Sequence, residues 1–297
     1  METVSVIMPC FNDGKYIEHA VASLRNQTYR SVELVIVDDG SDDRQTAQIL
    51  RDIAFPCMKL IRSGHEGPAS ARNKGIAACS GALILPLDAD DAIEPTYIEK
   101  AVKVMEENPA AGIVYCQASF FGAQSGKWML PPYSLKEMLA GNVIFASAMF
   151  RKAAWESVGG YNEAMRHGLE DYDFWLSLLE KQTDVYQIPE VLFHYRIKPV
   201  SRSSLLQRDI SAMQEAYRRI YSNHKSFFSL HNDLYVEALR EKSVRQAYDM
   251  DRLQEAMKLF GFRHACRHLI LSIPGVRAVG KRLLRSGGSR KQGGQNE

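Results

Sequence analysis

Residues 82–91 read Ala-Leu-Ile-Leu-Pro-Leu-Asp-Ala-Asp-Asp. The apolar run reads as a buried strand, and its end delivers Asp88 and Asp90, alternate positions that project to the same side of an extended chain. The same pattern recurs upstream. Val4 to Met8 is a short β-rich run closed by Pro9, which cannot donate to a central ladder, and Leu34 to Val37 ends in Asp38-Asp39-Gly40-Ser41. A further strand is predicted at Met58 to Ile61. Helical spacing fills the gaps: Ile17, Ala20, Val21 and Leu24 within 16–27, then 44–53, then a helix opening at Pro68 and running to Ala78. Mostly apolar strands alternating with helices predict an α/β fold with a largely parallel sheet covered on both faces. Ligands of such sheets bind at the carboxyl ends of the strands, where both acidic clusters lie.

Past Asn108 the pattern is mixed. Strands are expected at 113–116, 147–151, 185–188 and 191–197, a loop around 128–133, and a helix over 170–181. From Leu205 to about Leu259 the spacing is helical. This gives an α/β domain over 1–203, a helical region over 204–285 and a disordered Gly/Ser/Gln-rich tail over 286–297.

The composition is that of an ordinary globular chain: 297 residues, 45% apolar and 24% charged. Residues 252–297 hold ten Lys or Arg against Glu255 and Glu297, so an acidic body precedes a basic tail. Cys10, Cys57, Cys79, Cys116 and Cys266 show no paired spacing, which predicts buried, reduced thiols. With no signal peptide and no apolar run of spanning length, a cytoplasmic location is expected. No nucleic-acid partner is expected.

Each polar cluster has two readings. Asp88-Ala89-Asp90 is either a solvated acidic turn or a site where two carboxylates share a divalent cation and a sugar hydroxyl; Mg²⁺ and Mn²⁺ take one or two carboxylates plus substrate phosphates. Asp39 either belongs to an ordinary loop or accepts from a nucleobase or ribose, with Gly40 permitting the tight turn. Arg72 and Lys74, in Gly67-Pro-Ala-Ser-Ala-Arg-Asn-Lys74, form a solvated face or reach phosphate. Glu170-Asp171-Tyr172-Asp173 either complements a helix macrodipole or supplies a general base. His194 is structural or, if Asp90 lies nearby, completes a metal site. Arg196, Lys198 and Arg202 follow in a loop that could close over phosphates.

Taken in order, six motifs resemble the family 2 glycosyltransferases of GT-A fold: residues 4–12 (VSVIMPCFN), 37–41 (VDDGS), 67–73 (GPASARN), 87–91 (LDADD), 168–175 (GLEDYDFW) and 194–196 (HYR). The resemblance covers about residues 1–203. It implies transfer of a sugar from a nucleotide-sugar, a UDP-sugar by expectation, to a saccharide or lipid-linked acceptor hydroxyl with inversion, in cell-surface polysaccharide or glycolipid synthesis. Pro9, Phe11 and Asn12 would line the base pocket, with Phe11 stacking on the pyrimidine. Asp39 would accept from the base, and Arg72 would hold base or phosphate. Asp88 and Ala89 would meet ribose and sugar, Asp90 and His194 would ligate Mn²⁺ or Mg²⁺, and Asp171, with Glu170 as the less favoured choice, would deprotonate the acceptor. A retaining path needs a carboxylate nucleophile for which no separate residue stands out.

Residues 268–276 with Arg277, Lys281, Arg282 and Arg285 resemble an interfacial segment for an anionic bilayer, although Pro274 and Gly275 break it; a basic helix packed on the body is the alternative. The helical region after Leu205 either forms a homodimer or covers the acceptor site. Two other functions compete. A sugar-phosphate nucleotidyltransferase would open with a Gly-rich loop where this chain has Pro9-Cys-Phe-Asn-Asp-Gly14, and a non-catalytic nucleotide-sugar-binding protein would need no Asp171.

Overall fold

The computed structural model describes residues 2–166 and 168–269, those after Arg252 as helical backbone only. In chain order the elements are β1 (Val4–Cys10), α1 (Gly14–Arg25), β2 (Val32–Asp38), α2 (Arg44–Asp52), β3 (Met58–Arg62), α3 (Pro68–Ala78), β4 (Leu83–Pro86), β5 (Ala92–Ile93), α4 (Tyr97–Glu107), β6 (Ala111–Gly122), β7 (Gly126–Trp128), α5 (Leu135–Ala140), β8 (Met149–Arg151), α6 (Lys152–Val158), α7 (Glu170–Leu179), β9 (Asp184–Ile197), α8 (Arg202–Leu206), α9 (Ile210–Asn223), α10 (Lys225–Leu230) and α11 (Asn232–Leu269). Among the described residues the strands form one sheet in the order β3-β2-β1-β4-β8-β6-β9-β5, with β7 on β6.

The first half of that order, β3-β2-β1-β4, is parallel, as the βα alternation predicts. Its inner strands are apolar throughout because helices cover both faces: Val4, Val6, Ile7, Val35, Ile36, Leu83, Ile84 and Leu85 are all fully buried. Helix α3 comes so close to the sheet that a Cβ on Gly75 would stand 2.5 Å from Ile7 Cγ2, which is why this helix position has no side chain. Pro9 lies inside β1 and does not end it. Pairing with β4 stops at Ile7↔Pro86, so beyond that point β1 is laddered to β2 alone and a missing N–H is tolerated.

From β1 the chain runs outward through β2 to β3, then returns to place β4 on the other side of β1. That reversal opens a crevice beyond the carboxyl ends of β1 and β4, the usual ligand position in such sheets. Strand β8 then runs antiparallel to β4, while β6 and β9 are parallel to each other.

Several expectations need correcting. Strands 185–188 and 191–197 are one strand, β9, which absorbs Pro189 and Glu190 as a bulge between the pairs Cys116↔Ile188 and Gln117↔Val191. Cys57 is exposed, at a turn with φ 54°, whereas Cys10, Cys79 and Cys116 are buried. The first compact unit extends to Asn232. Its later helices are tied to α7: Asn223 donates to Asp173 at 2.7 Å, and the buried His224 pairs with Glu180 at 2.9 Å. The second unit, from Asp233, contains the long helix α11. Most of the basic segment, the tail over 286–297 and the side chain of Cys266 lie outside the described residues. Among the described residues no helix is long and apolar enough to cross a membrane.

Candidate active site

Three strand ends and one helix start converge on the crevice. Beyond β1 the chain gives Phe11, Asn12 and Asp13. Asn12 takes a left-handed conformation, φ 54°, and its amide ties two loops together, donating to Asp42 at 2.7 Å and accepting from the N–H groups of Asp42 and Asp43. Its side chain thus fixes the geometry of the two loops. Phe11 is 39% exposed, with its ring centroid 4.2 Å from that of His65. An apolar ring left open beside a second ring is a stacking platform for a planar ligand.

Beyond β2, Asp39 is buried and its oxygens accept from the N–H groups of Glu66 at 2.9 Å and Gly67 at 2.7 Å. Gly67 has φ +95° and caps α3, so Asp39 fixes the turn that launches the helix bearing Arg72. Gly40, with φ +78°, makes the tight turn the sequence predicts.

Arg72 is 2% exposed, and both terminal nitrogens end on carboxylates. Nη2 donates to Asp88 at 2.8 Å and Nη1 to Glu170 at 2.8 Å. Arg72 thus joins the end of β4 to the start of α7. Asp88 keeps 35% of its side chain exposed, and Ala89 beside it is buried. Asp90 is held by Lys198 Nζ at 2.7 Å, which also lies 2.8 Å from Asp13. Burial, with Asp88 close by, raises the Asp90 carboxyl above its ordinary range even though Lys198 opposes the shift. Asp91 is fully buried, accepts the Arg196 N–H at 2.8 Å and secures β9 against the strand-end turn.

The structure does not bring His194 to Asp90. It sits opposite Ala92 in the β5–β9 pair, with Nε2 2.7 Å from Glu94 and Nδ1 2.7 Å from Ser119. Both ring nitrogens are already engaged there. Among the described residues no group of three or more His, Cys, Asp or Glu forms a ready-made metal cage. The donor set at the crevice is therefore two carboxylates, Asp88 and Asp90, which meet Arg72 through Oδ1 and Lys198 through Oδ2 respectively. Such a set suits Mg²⁺ or Mn²⁺, which complete their shells with substrate phosphates and water.

Helix α7 opens through Gly168 at φ +124° and Leu169 at φ +63°, an uncommon conformation for a leucine. The reversal presents Glu170 and Asp171 in the first turn, where the macrodipole favours negative charge. The two differ sharply. Burial works against the Glu170 charge, but Arg202 and Arg72 outweigh it and hold its carboxyl below the usual range. Asp171 accepts from its neighbour's N–H at 2.8 Å and from Asn142 Nδ2 at 3.0 Å. Burial, reinforced by the Glu170 charge, pushes it up to about 6. Of the pair, Asp171 is the carboxylate tuned to take a proton near neutral pH.

Asp13, Asn142 and the role of Lys198 were not singled out by the sequence. Asp13 could have been, since it follows a strand end as Asp39 and Asp88 do; Asn142 carries no local signal. The sequence model described as glycosyl transferase family 2 matches residues 5–163. The chain belongs to glycosyl transferase family 2. An uncharacterized family glycosyltransferase of Haemophilus influenzae is 27% identical over 277 residues, covering 86% of this chain and 92% of its own. The fold is shared with S. aureus TarS, solved in complex with UDP-GlcNAc (TM-score 0.60, 17% identity, 97% of this chain and 93% of that one). It is shared too with the mannosyltransferase PcManGT of Pyrobaculum calidifontis, solved with GDP-Man and Mn²⁺ (TM-score 0.58, 18% identity, 97% and 80%). This glycosyltransferase therefore has the GT-A architecture that its motifs imply.

A base at Asp171 would set a pH dependence. A base must be deprotonated to act, so kcat/KM for transfer should fall tenfold per pH unit below about 6 and level off above it. A rate measured from pH 4.5 to 8 that stays flat through 5 would remove Asp171 from that role.

Proposed function

We propose that this glycosyltransferase moves a sugar from a UDP-sugar to an acceptor hydroxyl by a single displacement that inverts the anomeric centre, with Asp171 as base. The acceptor is a saccharide or lipid-linked glycan of a cell-surface polymer or glycolipid. The observation that carries the reading is the Arg72 bridge: one buried guanidinium lies 2.8 Å from Asp88, beside the crevice, and 2.8 Å from Glu170, the residue before Asp171. Donor-side and acceptor-side carboxylates are thereby held in fixed register, which positioned catalysis needs.

Within this reading Pro9 and Phe11 line the base pocket, with the exposed Phe11 ring as its stacking surface. Asp39 accepts the base N3–H; each of its oxygens has a second lone pair beyond the loop amide it already takes. Asp88 meets ribose and sugar. A divalent cation bound by Asp88 and Asp90 would supply charge stabilisation to the departing diphosphate. Asp171 takes the acceptor proton as the new bond forms, and Asn142 holds the carboxylate in orientation. Glu170, kept ionised by two arginines, is too weak a base for that step and organises the site instead.

Incubation with UDP-sugars and oligosaccharide or lipid-linked acceptors, with proton NMR of the product, tests this function. An α-linked donor should give a β-glycoside. An α-glycoside would overturn the single displacement, and the absence of transfer from any nucleotide-sugar would overturn the proposed function.

A further inference from the structure

Lys198 is the only cation that touches the Asp90 carboxylate among the described residues. Its ammonium bridges Asp90 Oδ2 at 2.7 Å and Asp13 Oδ1 at 2.8 Å, with 17% of its side chain exposed and Tyr16 flanking it at 5.4 Å. It thus closes a link between the turn after β1 and the turn after β4, the two sides of the crevice. Charge explains why a cation must be there. Asp13, Asp88 and Asp90 converge, Asp91 lies beneath them, and Arg72 neutralises only the Asp88 side. Without the ammonium, Asp90 would face its acidic neighbours uncompensated.

An ammonium and a divalent cation cannot cheaply share one carboxylate, because like charges a few ångströms apart repel. The backbone at this position is also well placed for a side-chain movement. Lys198 follows the last residue of β9, and α8 begins behind a capping box at Ser201 and Ser204, so the chain is anchored on both sides. The flexible four-carbon stem can turn with no backbone shift.

We propose that Lys198 is an exchangeable counter-ion. It holds Asp90 and Asp13 together in the empty enzyme, gives Asp90 up to the divalent cation, and then pairs with the diphosphate of the incoming nucleotide. The inference rests on the donor site described under the proposed function. One residue acts with opposite sign on two ligands: it competes with metal when no nucleotide is present and favours nucleotide once metal is bound.

The test is calorimetric titration of the intact wild-type and Lys198→Ala enzymes, first with Mn²⁺ alone and then with UDP at saturating Mn²⁺. Lys198→Met, which keeps the stem, serves as a second variant, and thermal melting checks that each is folded. Both variants should bind Mn²⁺ alone at least tenfold more tightly than wild type, and UDP in the presence of Mn²⁺ at least tenfold more weakly. Unchanged or weaker Mn²⁺ binding would overturn the exchange. If wild type keeps Mn²⁺-dependent UDP binding in that case, the donor site stands and only the role of Lys198 falls. If wild type binds UDP with no dependence on Mn²⁺, both the exchange and the metal-assisted donor site fall.

Discussion

Asp171→Asn should lower the rate of sugar transfer by roughly 10²–10⁴, the usual contribution of a positioned general base. The affinity for UDP should stay unchanged. The amide keeps the shape and still accepts the Tyr172 N–H that Asp171 takes at 2.8 Å, and Asn142 can present its carbonyl to the new NH₂ group. The Asp171 charge reaches Asp88 only as a coulombic repulsion, which the amide relieves. The acid limb near pH 6 should vanish with the carboxylate, which separates loss of a base from loss of packing. Glu170→Gln provides the contrast. It leaves two arginines short of a charged partner and should lower stability and rate together, and by removing the charge that reinforces the Asp171 shift it should move the acid limb to lower pH without abolishing it. Full transfer by folded Asp171→Asn would assign the base elsewhere.

Arg72→Leu carries the largest expected cost in stability. Arg72 is 2% exposed and its two ion pairs link α3, the end of β4 and the start of α7. Removing one partner of a buried pair costs about 3–5 kcal/mol, since the charges left behind remain out of water. Asp88 is partly exposed and Glu170 retains Arg202 at 3.1 Å, so the lower end, about 3 kcal/mol, is expected here. Urea unfolding at pH 7.5 measures it. The deficit should shrink as pH is lowered into the carboxylate range, because protonation removes the stranded charges. A loss below about 1 kcal/mol would mean the triad contributes no more than a surface pair. Arg72→Lys should rescue poorly, since lysine lacks the two separate terminal nitrogens with which the guanidinium meets Glu170 and Asp88.

The inner strands were legible because burial on both faces leaves an apolar signature that nothing else in the chain imitates: Leu34–Val37 and Leu83–Leu85 are wholly buried. The start of α3 was equally plain, since Pro68 can only open a helix there. Helix α4 was missed, although its buried positions Tyr97, Ile98, Ala101, Val102 and Met105 repeat with helical spacing. Strand β5 carried none: Ala92 and Ile93 are a strand only because β9 pairs with them. Motif order located the acidic clusters at strand ends, but the partners of each charge depend on contacts far apart in sequence. Arg72 meets Glu170 from 98 residues away, and Lys198 meets Asp13 from 185. His194 shows the same limit. Its strand was readable, yet Glu94 and Ser119, which fix its ring, are neighbours only in the folded sheet.

The proposed donor site lies at the ends of β1, β2 and β4, and UDP titrated into the protein with and without Mn²⁺ tests it. Metal-dependent binding in the wild type, abolished by Asp90→Ala and retained by Asp171→Asn, is the predicted result. UDP binding of equal strength in wild type and Asp90→Ala, or none in either, would contradict it.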